Sequence, residues 1–406
     1  MIHTDRLYYD DPYLREFDAT VTAVERRDNR ARVALDRTAF YPTSGGQPFD
    51  VGTLGSLHVV DVVDENGGAI AHVVENGAPQ VGERVHGTVD WARRFDHMQQ
   101  HTGQHLLSAA CQHLFHVATR SFHLGAAAST IDVAREMTPQ EIAAAETEAN
   151  RVVWDDRPVA IRYATAEEAA SLKLRKEPAR GGTLRLIDVE AFDLSACGGT
   201  HVSRTGAIGI IAVASWERFK GGQRIEFVCG GRALDRFRRQ RDTLADGVRL
   251  LSAVPEDLGP SIERLQAEGK EQKQELTALQ KELARYRAAE LVQSGRAIGR
   301  GGANAVNVVL RAIDADAEGL KSLALAVTSN PGCVAVLIST SRPSRAVVAR
   351  SADVALAANQ VLAMLTARFG GRGGGKPELA QAGGLDAAAD DILAAAFDHL
   401  AFTLQH

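Results

Sequence analysis

The chain has few cysteines and no long apolar stretch. Its four cysteines are scattered over 406 residues, unlike the dense disulfide framework of small secreted domains, and this usage fits a reducing compartment. No uninterrupted apolar run reaches the ~20 residues of a membrane helix. The charged start "MIHTDRLYYDDPYLREFD" lacks the apolar core of a secretory signal. We therefore expect a folded cytoplasmic protein with no membrane association.

An excess of positive charge is also missing. The formal net charge of -5 argues against a protein that coats nucleic acid indiscriminately, because such binding depends on many cations that neutralise phosphates. A local basic face remains in "GGRALDRFRRQR", which predicts a helix with a cluster of arginines. A solvated helix face is the plain alternative. The arginines are Arg232, Arg236, Arg238, Arg239 and Arg241.

The pattern of apolar residues divides the chain into four parts. Short alternating segments in residues 1–90 predict a small β-barrel, and mixed helices and strands in residues 91–230 predict an α+β domain. Apolar residues three and four positions apart in residues 231–295 predict a helical hairpin. Strands and helices alternate in residues 296–406 and predict a compact α/β domain. The expected fold class is multidomain α+β.

Local signals place several element boundaries. Asp96 is the predicted N-cap of a buried helix over "DHMQQHTGQHLLSAACQHLF". Thr138 and Glu141 have the spacing of a capping box at the start of a second helix. The loop "FYPTSGGQPFDVG" contains glycines that permit a tight bend or a close approach of backbone to a partner.

The predicted hairpin has an apolar seam on each helix. Gly269 and Gln272 interrupt the second seam, so we expect looser packing there. The other seam positions are Leu234, Phe237, Arg241, Leu244, Val248 and Leu251 on the first helix, and Ile262, Leu265, Leu276, Leu279, Leu283 and Tyr286 on the second.

Two short motifs carry candidate metal ligands. In "HTGQH", His101 and His105 are four residues apart, which places both imidazoles on one face of a helix. In "CGGTH", Cys197 and His201 flank a glycine turn that allows both side chains to converge. Three imidazoles and one thiolate suit zinc. The zinc is either structural, with four protein ligands, or catalytic, with one ligand displaced or the coordination sphere expanded.

These motifs resemble a known family. "HTGQHLLSA", "SFHLG" with "STIDV", and "CGGTHVSRTGAIGI", preceded by "FYPTSGGQPFDVG", are similar to the editing domain of alanyl-tRNA synthetases and to the freestanding AlaX-type editing proteins. The resemblance covers residues 1–230 in order and spacing. The hairpin and the glycine-rich tail resemble the C-terminal region of the synthetase, a domain also attached to DHH phosphoesterases. The whole chain is thus similar to the long form of AlaX.

The resemblance implies an aminoacyl-tRNA hydrolase that removes serine, and also glycine, from alanine tRNA. It implies zinc bound by the four residues above, with His101, His105 and Gln104 as catalytic residues. Gln104 lies three residues from His101 and is expected on the metal-facing side of the helix. Thr102 and His123 are candidate substrate contacts, and a packed or solvated histidine is the alternative for His123.

The C-terminal part is expected to bind tRNA or to form a homodimer. The glycine loop from Gly370 to Lys376 exposes backbone N–H groups beside two cations, a combination suited to phosphate oxygens. A flexible loop on a dimerisation domain is the alternative. The candidate tRNA-binding residues are Arg232, Arg236, Arg239, Arg372 and Lys376.

Four rival interpretations predict other features. An intact synthetase needs an ATP-binding aminoacylation domain, which we expect to be absent because the chain begins at the predicted barrel. A threonyl-tRNA synthetase editing domain shares the HxxxH and CxxxH pattern, but "GGQP" and the C-terminal unit argue against it. A DHH phosphoesterase needs a DHH triplet, whereas Asp96 and His97 are followed by methionine. A non-catalytic RNA-binding protein with structural zinc remains, and a deacylation assay distinguishes it from an enzyme.

Overall fold

The chain forms two compact units. The computed structural model describes residues 3–65, 68–175, 182–299 and 305–405. Unit one is Met1–Asp246 and unit two is Gly247–His406. The four-part division predicted above is finer than this, and its boundaries remain predictions.

Unit one begins with a closed six-stranded barrel, as predicted. Alternating side chains of the long second strand, among them Phe17, Ala19 and Val21, are buried inside it, which is the period of a strand with one buried face. The barrel order is β2-β3-β7-β6-β5-β8, and β1 pairs with β4 outside it. The strands are β1 Asp5–Arg6, β2 Glu16–Arg27, β3 Arg30–Leu35, β4 Arg37–Thr38, β5 Gly52–Leu54, β6 Leu57–Asp64, β7 Ile70–Glu75 and β8 Arg84–Val89.

The rest of unit one is α+β. A four-stranded sheet of order β14-β15-β10-β9 and a three-stranded sheet of order β11-β12-β13 accompany its helices, and a buried apolar cluster includes residues of α1, α2 and the larger sheet. The elements are α1 Trp91–Phe115, β9 Thr119–Leu124, β10 Ser129–Val133, α2 Pro139–Trp154, β11 Val159–Ala164, α3 Ala166–Ser171, β12 Leu184–Val189, β13 Asp193–Ala196, β14 Ile211–Phe219 and β15 Gly222–Cys229.

Helix α1 starts earlier than the sequence predicted. Asp90, not Asp96, is the N-cap, and its side chain accepts a hydrogen bond from the backbone N–H of Arg93. The first turn was missed because it is rich in arginine, although Arg94 is fully buried. The capping box of Thr138 and Glu141 at the start of α2 is confirmed.

Two long helices follow, α4 Gly230–Leu251 and α5 Leu258–Gln293. The predicted helices are confirmed. Many of the side chains that form the two predicted seams are exposed in the single chain. The exposed ones include Leu234, Phe237, Leu244, Ile262, Leu265, Leu276, Leu279, Leu283 and Tyr286.

The remainder of unit two is an α/β fold, as predicted. Its six-stranded sheet has the order β16-β17-β18-β19-β21-β20, in which only the β17–β18 pair is parallel. Strand β18 is buried throughout. The elements are β16 Arg296–Ile298, β17 Val306–Ile313, α6 Ala317–Thr328, β18 Cys333–Ser339, β19 Ser344–Arg350, α7 Ala358–Phe369, β20 Arg372–Gly375, β21 Leu379–Leu385 and α8 Ala389–Gln405.

The glycine run of unit two is a strand and not the predicted loop. Residues Arg372–Gly375 form β20 at the sheet edge, antiparallel to β21. A Cβ on Gly373 would lie 2.2 Å from the carbonyl oxygen of Gln381, and one on Gly375 would lie 2.3 Å from that of Leu379. The glycines therefore permit a close approach of two strands.

Among the described residues, none of the helices combines the length and the apolar character needed to span a bilayer.

Candidate metal centre and substrate cavity

The four predicted metal ligands converge in unit one. His101 and His105 lie one turn apart on α1, and Cys197 and His201 lie in the segment after β13. One ligand atom from each residue lies within 4.8 Å of the others. The three histidines are buried and Cys197 is partly buried. The structure thus brings together all four residues that the two motifs indicated.

The glycine turn approaches α1 because position 199 has no side chain. A Cβ on Gly199 would lie 2.1 Å from Cε1 of His101, a severe overlap. Arg185 holds the turn, since its Nη1 donates to the carbonyl oxygens of Cys197 at 2.7 Å and Gly199 at 3.0 Å. With the turn held there, Sγ of Cys197 lies 3.4 Å from Nε2 of His101.

Gln47, from the glycine-rich barrel loop, orients His101. Its Oε1 lies 2.8 Å from Nδ1 of His101 and accepts a hydrogen bond from the backbone N–H of Thr200 at 3.1 Å. Its Nε2 donates to Oγ1 of Thr200 at 2.8 Å. Because both ends of the amide are bonded, the oxygen faces the imidazole and Nδ1 of His101 is the protonated nitrogen. The Nε2 lone pair is therefore available to a metal.

Asp193 orients His105 in the same way. Its Oδ2 lies 3.0 Å from Nδ1 of His105 and accepts a hydrogen bond from Oγ of Ser195. Its Oδ1 accepts a hydrogen bond from Nε of Arg175 at 2.7 Å. Burial acts to lower the pKa of His105, but the hydrogen bonds and negative charges of Asp193 and Cys197 together outweigh it and the pKa is raised. A more basic imidazole is a stronger metal ligand.

Thr102 orients the third imidazole. Its hydroxyl donates to the carbonyl oxygen of Met98 at 2.8 Å and accepts from the backbone N–H of Val202 at 3.1 Å. Its oxygen lies 3.2 Å from Nδ1 of His201, so it can accept the Nδ1 proton of that ring. Thr102 is fully buried and does not line the cavity described below. Thr102 thus contacts a predicted ligand, and a substrate contact by Thr102 stays a prediction.

The protonation states of the cluster fit a zinc ion. Burial favours the neutral thiol of Cys197, but the imidazoles of His101 and His201 outweigh it and hold the thiol pKa well below its ordinary value. Burial, together with the charge of His101, lowers the pKa of His201 to about 3, so this imidazole is neutral. A thiolate at Cys197, a neutral imidazole at His201 and the ring nitrogens of His101 and His105 form a donor set that zinc accepts.

A small cavity lies beside the cluster. Its volume is about 90 Å³. Gln104 lines it, as expected from its position on α1, and Nε2 of Gln104 donates to Oγ of Ser108 at 2.8 Å. Oε1 of Gln104 is buried and has no hydrogen-bond partner among the described residues. A residue that lines the cavity beside two metal ligands therefore carries a buried acceptor without a partner among the described residues. The lining residues are Gln104, His105, Thr119, Arg120, Ser121, Phe122, Arg175, Ser195, Ala196 and Cys197.

His123 lies away from this lining. It is exposed on β9 and is not among the lining residues. Its neighbour Phe122 does line the cavity, and the ring centroids of Phe122 and His101 are 5.4 Å apart. A substrate contact by His123 stays a prediction.

The predicted tRNA-binding residues differ in whether their charged groups are already paired with a carboxylate of this chain. Arg232 donates to both carboxylate oxygens of Asp96, and Arg236 pairs with Glu226 at 2.8 Å. These two ion pairs hold α4 against the rest of unit one, and every guanidinium nitrogen of Arg232 has a partner, whereas among the described contacts only Nη1 of Arg236 does. Three other candidates are exposed and have no ion pair with a described residue: Arg239, Arg372 and Lys376.

Gln47 and Asp193 were not identified from the sequence as site residues. The glycine-rich loop was noted, but no motif spacing links its glutamine to the metal ligands. Asp193 lies on a strand four residues before Cys197, outside the motif that contains the ligands.

Three known families match parts of the chain. The family described as tRNA synthetases class II (A) matches residues 7–93, which contain the barrel. The threonyl and alanyl tRNA synthetase second additional domain matches residues 184–226. The DHHA1 domain matches residues 304–401 in unit two.

Individual relatives match over longer ranges. The alanyl-tRNA editing protein AlaX-L of Pyrococcus horikoshii is 31% identical over 413 residues, covering 99% of this chain and 99% of that protein. The alanine–tRNA ligase of Methanoregula boonei is 35% identical over 393 residues, covering 94% of this chain. The match spans only 42% of that ligase. A solved C-Ala domain from Aquifex aeolicus alanyl-tRNA synthetase is 23% identical, with a TM-score of 0.23, covering 25% of this chain and 93% of that chain.

Proposed function

The chain belongs to the alanyl-tRNA editing proteins of the AlaX-L type, as its motifs predicted, and we propose on this premise that it is a trans-editing hydrolase. The proposed substrate is alanine tRNA that carries serine, or less efficiently glycine. The observation that carries the proposal is the buried, unpartnered amide oxygen of Gln104, a residue that lines a small cavity together with His105 and Cys197.

The proposed reaction is hydrolysis of the aminoacyl ester. Water adds to the ester carbonyl, the bond between the carbonyl carbon and the ribose oxygen breaks, and that oxygen receives a proton. A bound zinc ion supplies Lewis-acid polarisation and stabilises developing negative charge. His101 and His105, together with Cys197 and His201, would hold the ion. Gln104 would orient the amino acid, so His101, His105 and Gln104 are the proposed catalytic residues.

Gln104 also explains a preference for serine over alanine. The serine hydroxyl donates a hydrogen bond to Oε1, whereas alanine leaves this buried acceptor unpaired. An unpaired buried group costs about 1 to 3 kcal/mol, equivalent to roughly five- to over a hundredfold in rate. Glycine enters the cavity because it is smaller, but it leaves the same oxygen unpaired.

Initial rates on serine-, glycine- and alanine-charged alanine tRNA test the proposal. We expect serine to be removed at least tenfold faster than alanine. Gln104→Leu should reduce this ratio while leaving the zinc content unchanged, and Gln140→Leu, an exposed position on α2, is the matched control. Equal wild-type rates on the serine and alanine esters would refute a proofreading role, since the enzyme would destroy the correct product.

Serine-charged threonine tRNA belongs in the same assay, because one matching family is shared by threonyl and alanyl tRNA synthetases. Activity on that substrate alone would assign the protein to threonine editing. No hydrolysis of any ester by the zinc-loaded protein would leave a non-catalytic RNA-binding protein with structural zinc.

We also propose that the C-terminal region contributes to tRNA binding and to a homodimer. Exposed cations support the first role, namely Arg239 on α4 and Arg372 and Lys376 at the β20 edge. The exposed apolar side chains of α5 support the second. Light scattering at several protein concentrations tests for the dimer, and a monomer throughout the range would contradict it.

A further inference from the structure

The cavity beside the metal ligands is too small for a nucleotide. Its volume of about 90 Å³ is well below the ~300–1,000 Å³ of pockets that enclose larger ligands. It can admit the aminoacyl group, so the terminal ribose and its neighbouring phosphate must lie outside. Strand β9 contributes four of the lining residues and forms the rim on that side.

Arg120, on this rim, is an uncommitted cation. It is exposed, and its side chain has no hydrogen bond or ion pair with any residue that the structure describes. Arg175 is the other cation of the lining, and its guanidinium is bound to Asp193. Within the lining, Arg120 is therefore the positive charge available to an anionic ligand.

The nearby carboxylate of Asp132 does not neutralise Arg120. Asp132, on the neighbouring strand β10, accepts hydrogen bonds from Arg224 at 2.7 and 2.9 Å and from Oγ of Ser121 at 2.6 Å. Strand β9 is also held in place, because the backbone N–H of Leu124 donates to the carbonyl oxygen of Gly46 in the barrel loop at 3.1 Å. A fixed strand thus presents a free guanidinium beside the cavity.

We propose that Arg120 binds the phosphate that joins the last two nucleotides of the tRNA. The proposal rests on the function given above, in which the ester at the terminal ribose enters the cavity. A guanidinium donates two parallel N–H groups to phosphate oxygens, and such contacts position a nucleic acid without reading its sequence. Arg120 thereby places the ester over the cavity, while Gln104 distinguishes the amino acids.

Two small esters isolate this contact. Seryl-adenosine has no phosphate, whereas the serine ester of cytidylyl-adenosine carries only the phosphate in question. We expect Arg120→Ala to lower kcat/KM about tenfold on the dinucleotide ester and on the charged tRNA. The rate on seryl-adenosine should stay within about twofold of wild type. Arg120→Lys should recover part of the loss, because it retains the charge but not the paired donors.

Arg84→Ala is the matched control, since Arg84 is exposed on β8, has no ion pair with a described residue and does not line the cavity. It should behave as wild type on all three substrates. Equal losses by Arg120→Ala on both small esters would show that Arg120 acts on the cavity itself and would overturn the proposal. Unchanged rates on both esters would overturn it as well.

Binding of uncharged cytidylyl-adenosine, followed by NMR titration, separates this proposal from the proposed function. The wild type should bind the dinucleotide more tightly than adenosine, and Arg120→Ala should lose the difference. If the wild type hydrolyses no ester, the proposed function fails, and this titration alone decides the role of Arg120. Equal dinucleotide affinity in the two proteins would then refute it.

Discussion

Replacing Gln47 with leucine should weaken zinc binding although Gln47 is not a ligand. The substitution keeps a side chain of similar size and removes both ends of the amide. Nδ1 of His101 and the backbone N–H of Thr200 then lose their acceptor. Both lie in a buried region, so nearby water cannot easily replace the lost bonds.

The expected loss of affinity follows from this geometry. Two buried donors without partners cost about 1 to 3 kcal/mol each, and this cost is present with or without the metal. The affinity for zinc is lowered only because the ring of His101, without its acceptor, is free to change its orientation. Removing such an outer acceptor typically costs 10- to 100-fold in metal affinity, which is about 1.4 to 2.7 kcal/mol.

Competition with a chromophoric chelator at constant pH measures this loss, with circular dichroism to verify folding. Gln47→Glu keeps an acceptor for His101 and should bind zinc more tightly than Gln47→Leu. Gln140→Leu, on the exposed surface of α2, should not differ from wild type. A folded Gln47→Leu protein with wild-type zinc affinity would refute the idea that the barrel loop orients His101.

Three further predictions concern other parts of the chain. Cys197→Ala and His105→Ala should each lose the single equivalent of zinc measured by metal analysis, and full retention would contradict the ligand assignment. Arg372→Ala with Lys376→Ala should weaken tRNA binding and reduce the slope of log affinity against log salt by about 1 to 2, whereas an unchanged slope would exclude phosphate contacts at the β20 edge. Burial lowers the pKa of His72 to about 4. Between about pH 6.5 and pH 4 the unfolded chain therefore binds a proton at this histidine that the folded chain does not, and the stability of the fold decreases as the pH is lowered through this range. In urea denaturation, His72→Gln should reduce the stability difference between pH 7 and pH 5 by about 2 kcal/mol, and an unchanged difference would contradict this assignment.

The ligands were predictable because their signal is local. His101 and His105 are one helical turn apart, and a glycine turn brings Cys197 next to His201, so residue type and spacing suffice. Their supporting residues were not predictable in this way. Gln47 lies 54 residues before His101 in sequence, and its importance appears only when the barrel and α1 are packed together.

The errors in the predicted fold have a similar origin. The first turn of α1 was missed because Arg94 is charged, yet it is buried against Asp50 and the carbonyl oxygens of Pro12 and Ala39. A buried charge of this kind depends on long-range partners. The exposed seams of α4 and α5 show the converse limit, since helical periodicity identifies an apolar face but not what covers it.

The contact between Gln47 and His101 also limits which segments of the gene can be exchanged by recombination. One residue separates the end of strand β8 from the start of helix α1, and each side of this junction has its own buried apolar cluster. A crossover there would deliver a helix whose first imidazole lacks its acceptor, because that acceptor is encoded upstream. The barrel and the metal-binding part are therefore expected to be transmitted together, and a shuffled gene that separates them would need a new partner for His101.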